Sequence, residues 1–87
     1  DFEYHELYAL LLLKTGRFDE SVARYRALLQ LDSDNPKLWL AFAIALNATG
    51  AIDEALSAHQ MASRFGLSDP ALDQYNRTRL KSLRGAG

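Results

Sequence analysis

Eighty-seven residues make one small domain or a piece of a larger protein, and a chain this size buries only about 60–65% of its unfolded surface. Ten Lys and Arg against eleven Asp and Glu give no net cationic footprint for nucleic acid. The absence of Cys removes disulfides, thiolate metal sites and cysteine nucleophiles.

The chain opens Asp-Phe-Glu-Tyr, with neither a signal peptide nor an initiator Met, and so reads as a piece of a longer protein whose compartment stays open. Residues 3–14 are rich in Leu, Ala, Glu and Tyr and free of Gly and Pro, which predicts a helix. Gly16 ends it, and Asp19 and Glu20 favour the positive end of a second helix. That helix carries Val22, Tyr25, Leu28 and Leu29 as one apolar stripe. Asp32-Ser33-Asp34-Asn35-Pro36 predicts a turn, with Pro36 suited to the first turn of a third helix. That third helix is expected over Leu38 to Ala48. Its Leu38–Leu46 stretch is the longest apolar run and is far short of the roughly 20 residues that cross a bilayer. After Thr49-Gly50 a fourth helix runs from Asp53 to Phe65, then Gly66 to Pro70 breaks it, and Ala71 to Arg84 forms a fifth. No stretch has the alternation of a strand.

A six-residue pattern occurs twice. Thr15-Gly16-Arg17-Phe18-Asp19-Glu20 returns 34 residues later as Thr49-Gly50-Ala51-Ile52-Asp53-Glu54. Laying 2–35 over 36–69 adds the identities Ala9/Ala43 and Leu12/Leu46. Four of the six identities crowd around one glycine, so the copies are two helix–turn–helix units.

This period resembles the tetratricopeptide repeat (TPR) family. In the second unit, Trp39, Phe42, Ala43, Leu46, Gly50, Ile52, Ala55 and Ala62 stand at the family's positions, with His59 in place of the usual aromatic and Leu67 where Pro is common. The first unit matches at Tyr8, Ala9, Leu12, Gly16, Phe18, Ser21 and Tyr25. It departs at His5, which replaces Trp, and at Leu28, which occupies a normally small position. The resemblance implies an all-α, right-handed superhelix of five helices: repeat 1 over 2–35, repeat 2 over 36–69, and a capping helix over 70–84. Asp73, Gln74, Asn76, Arg77, Arg79, Lys81 and Arg84 would make the polar outer face of that cap, while Leu72, Tyr75, Leu80 and Leu83 cover the end of the stack.

Catalytic and metal readings find little support. His5 and His59 are the two histidines. Ser57 cannot face His59 from two residues away on one helix, and Ser63 could reach it without any third group to orient the pair. His59 reads as a packing residue. Asp32-Ser33-Asp34-Asn35 looks like the start of a calcium loop, but Lys37 and Ala43 stand where such a loop needs Gly and a bidentate Glu. Arg77, Arg79, Lys81 and Arg84 read as a solvated face, with contact to a phosphate or an acidic partner as the alternative. No enzyme, cofactor or metal is expected.

In the TPR family the first helix of each unit lines a concave groove. By that resemblance the partner-binding residues are Leu7, Leu10 and Leu13 from the first unit and Lys37, Leu40, Ile44 and Asn47 from the second. The carboxylate clamp of the family's chaperone-docking members is missing, since Glu6, Leu10, Leu40 and Ile44 hold its positions. The expected partner is an apolar or amphipathic protein segment held helix-in-groove, with no nucleic acid and no membrane contact. Leu10, Leu13, Leu40 and Ile44 would supply apolar contact, and Asn47 and Lys37 orientation. The apolar first helix is equally compatible with an upstream helix that covers it, or with a homodimer through the same patch, the protein then being a spacer or oligomerising segment. The run Leu38–Leu46 followed by Tyr75–Leu80 is similar to the TPR portion of bacterial pilus-biogenesis proteins of the mannose-sensitive haemagglutinin type, which implies a place in pilus or secretion-system assembly.

Overall fold

The computed structural model describes residues 1–85, which form five helices and no strand. They are α1 (Phe2–Lys14), α2 (Phe18–Leu31), α3 (Pro36–Ala48), α4 (Ile52–Phe65) and α5 (Pro70–Gly85). Each starts one or two residues before the expected position, and for three of them the reason is a side-chain cap. Asp1 accepts the Glu3 N–H at 3.1 Å, Asn35 the Lys37 N–H at 3.1 Å, and Asp69 the Ala71 N–H at 2.9 Å. These Asx residues lie 34 apart and each pairs a donor that a helix start would otherwise leave free.

The turn inside each unit is the same object twice. Gly16 and Gly50 take φ of +83° and +86°, a region costly for any residue with a Cβ. Just beyond them, Arg17 N–H donates to the Leu12 carbonyl at 2.9 Å and Ala51 N–H to the Leu46 carbonyl at 3.0 Å, pairing carbonyls at the helix end.

Helices pack chiefly on their neighbours in the chain, α1 on α2, α2 on α3, α3 on α4 and α4 on α5. The result is an elongated body of 37 × 26 × 21 Å, as expected when each element needs only the next to bury its face. Ala9, Ala43 and Ala55 are fully buried where helices cross. Ser21, equivalent to Ala55, is buried too and donates to the Ala9 carbonyl at 3.0 Å, which satisfies a hydroxyl that would otherwise be costly there. The main core joins these to Tyr25, Leu28, Leu29, Leu38, Phe42 and Leu46, so Leu28 is absorbed at its normally small position. Trp39 is half-buried and donates its indole N–H to the Ser33 carbonyl at 2.7 Å.

A second, smaller core of Leu40, Ala62 and Leu67, flanked by Trp39, Ile44 and Leu72, ties α3 and α4 to the start of α5. Leu67, where the family commonly has Pro, is therefore a core residue. Two expectations need correction. Leu40 is 4% exposed and belongs to this core, because Ala62 of α4 and Leu67 of the α4–α5 connection pack against it, with Leu72 at its flank. Asn76 is not on the polar outer face of the cap: it is fully buried against α4, where His59 needs a polar partner.

Candidate functional site

Because α1 and α3 both pack on α2 more than on each other, a cleft of about 690 Å³ remains between them. Leu7, Leu10 and Leu13 form the α1 wall, and Lys37, Leu40, Ala41 and Ile44 the α3 wall. Six of the seven residues named from sequence therefore meet in one groove. Leu7 is 56% exposed, Leu10, Leu13 and Ile44 are half-buried, and Lys37 is exposed at the start of α3. Leu40 reaches the cleft as buried floor. Asn47, half-buried three residues beyond Ile44, is not among the lining residues.

Tyr25 and Leu38 complete the floor and Leu72 closes one end; the sequence pattern places these in core and cap. A signal was present, since Leu38 and Leu72 are 34 residues apart and take equivalent places in α3 and α5. Tyr25 sits under the groove with its phenol pushed up to about 12, first by burial and then by the charge of Glu6, so at neutral pH it keeps its proton and can donate a hydrogen bond. Glu3 and Glu6 border the α1 side, facing one cation, Lys37. The groove is thus an apolar trough with a mildly acidic rim.

Behind the groove, Arg26 of α2 donates to Glu54 of α4 at 2.7 Å and 3.4 Å and lies 5.1 Å above the Phe42 ring. This bridge between units is exposed at both ends and contributes about 1 kcal/mol or less. His59 is fully buried. Asn76 donates its amide N–H to the His59 carbonyl at 3.1 Å, which turns its oxygen to His59 Nδ1 at 2.7 Å. Nδ1 therefore carries the proton, and Nε2 is buried without a hydrogen-bond partner. Burial, then the nearby Arg79 charge, depress the imidazole's basicity against the opposing pull of the Asn76 bond. Ser63 makes no bond to the ring, and a nitrogen sealed from solvent cannot serve as a base for a bound substrate. The Asp32–Asn35 turn is closed by Asn35 donating to Asp32 at 2.9 Å.

A family model described as "Tetratricopeptide repeat" matches residues 12–84. No curated protein and no solved structure matches the chain. The chain belongs to the tetratricopeptide repeat family, whose repeats are non-catalytic modules that generally mediate protein–protein interactions.

Proposed function

We propose that this tetratricopeptide repeat chain binds an apolar or amphipathic protein segment in the groove between α1 and α3. The observation that carries the reading is the trough itself. Three leucines of α1 and Ile44 of α3 face one cleft above a leucine floor, with nothing from the described residues covering it. Leu7, Leu10, Leu13 and Ile44 give apolar contact, Lys37 contacts an acidic or carbonyl group of the segment, and the Tyr25 phenol offers a donor at the floor. Leu40 supports this surface from below, and Asn47, outside the lining, meets only a longer segment. So short an array holds a linear segment at micromolar strength or weaker.

Peptides selected from a displayed library of amphipathic helices provide the test. Their binding should fall steeply in Leu7→Glu and in Lys37→Glu, both exposed sites that leave the fold intact, and survive Arg84→Glu. Undiminished binding in the first two variants refutes the groove.

Self-association is the second reading, favoured by Tyr4, Leu7 and Leu11, which stand 64%, 56% and 50% exposed along one side of α1. Sedimentation over a concentration series separates it: a dimer lost in Leu7→Glu would make the patch a homotypic contact. From the resemblance of Leu38–Leu46 and Tyr75–Leu80 alone, we propose that the partner is a pilus or secretion-system component. Two-hybrid pairing against such components tests that placement.

A further inference from the structure

A second cleft, of about 680 Å³, lies between α4 and α5, away from the groove. Arg64 enters it from α4 and Arg77, Lys81 and Arg84 from α5, around the side of Leu80. No carboxylate lines it. Asp73 engages one of the four cations, meeting the Arg77 Nε at 3.0 Å, while Arg64, Lys81 and Arg84 have no ion pair among the described residues. The asymmetry extends to the whole chain. Residues 60–85 hold five cations and two carboxylates, whereas residues 1–59 hold five cations and nine carboxylates.

The repeat register shows what this face does not accept. Arg77 stands 34 residues after Ala43, a fully buried alanine of the core that α3 and α4 share. A helix placed on α5 as α4 is placed on α3 would meet a guanidinium where the crossing needs a methyl group. The face presents cations instead.

We propose that the α4–α5 cleft is a docking surface for an acidic segment of a partner protein, with carboxylates one helical turn apart flanking a small apolar residue. Arg77, Lys81 and Arg84 follow one another at four and three residues and span about 10 Å of the helix, the spacing of carboxylates on successive turns of a partner helix. Arginine forks take carboxylates bidentately, and Arg64 closes the opposite bank. Leu80, 7% exposed between the cations, offers a narrow apolar contact. Nucleic acid fits less well, since no aromatic residue lines the cleft for base stacking and the acidic stretch 1–59 repels a polyanion. A bilayer fits less well too, because the surface is concave and presents no apolar side chain to insert. This surface is independent of the α1–α3 groove.

The test uses the whole chain and a fluorescent helical peptide bearing Glu on successive turns, with its Gln counterpart as control. The Glu peptide should bind in low salt, weaken as salt rises, and lose about tenfold in affinity in Lys81→Glu and again in Arg64→Glu, while Leu7→Glu binds normally. Circular dichroism verifies that the variants keep their helices, and Arg84→Gln supplies a milder substitution. Equal binding of the Glu and Gln peptides, or no loss in the variants, overturns the proposal. So does binding of a single-stranded RNA oligonucleotide or of phosphatidylserine vesicles more tightly than the peptide. Salt-sensitive self-association abolished by Lys81→Glu, seen by sedimentation without peptide, would overturn it in favour of a second copy of the chain.

Discussion

Acidification should loosen the α4–α5 junction through a single imidazole. In the folded chain His59 is sealed, with Nδ1–H committed to Asn76 at 2.7 Å and Nε2 facing no acceptor, so a proton added at Nε2 would create a buried, unpaired charged donor beside Arg79. Its folded basicity is accordingly depressed, and that fixes the sign. At about pH 7.5 neither the folded nor the unfolded imidazole holds the extra proton, and the site has no pH dependence. Below the ordinary histidine value near 6.5 the unfolded chain takes up the proton while the folded chain resists, so stability falls with pH until the folded group titrates as well. The unfolded imidazole sets the ceiling, so the loss between about pH 7.5 and 5.5 is at most about 1.4 kcal/mol. Urea unfolding followed by helical circular dichroism at both pH values measures it, with His59→Phe as the reference. Phenylalanine restores an aromatic at that place and cannot titrate, and the shared carboxylates and His5 cancel in the comparison. The variant itself loses about 1–3 kcal/mol by stranding the Asn76 amide, but its stability should change less with pH than that of the wild type. Equal pH slopes in the two proteins, or a wild type that gains stability on acidification relative to the variant, would refute this coupling.

Leu40→Ala should cost about 2–5 kcal/mol in urea unfolding, because it hollows the small core shared by α3, α4 and the start of α5; a loss under about 1 kcal/mol would return Leu40 to the groove surface. Ala43→Leu should destabilise by about 1–3 kcal/mol through overpacking at a fully buried helix crossing, and a neutral result by the same measurement would mean that α3 and α4 can move apart.

Periodicity made most of the fold legible. Gly16 and Gly50 marked equivalent turns because each terminates a helix that the next must double back on, and only a residue without Cβ takes that φ cheaply. The alanines marked close approach because no larger side chain fits between crossing helices. The starts of α1, α3 and α5 lie outside the apolar pattern, because they are set by the Asx caps at Asp1, Asn35 and Asp69. The groove was legible at Leu7, Leu10, Leu13, Lys37 and Ile44, all on helices whose phase relative to the core was already fixed by the repeat.

Sequence alone, then, determined the number, order and pairing of the helices, since those come from local terminators and from a stride that one helix–turn–helix imposes on the next. Tertiary structure decided how the chain's end is used. Whether Leu40 faces a partner or a core depends on how the α4–α5 connection returns across α3 and brings Leu67 against it. Whether Asn76 faces water or His59 depends on the angle at which that helix seats. The gathering of Arg64 with Arg77, Lys81 and Arg84 joins residues of different helices. Such contacts depend on how two rigid bodies dock, and a pattern confined to one helix does not carry that information.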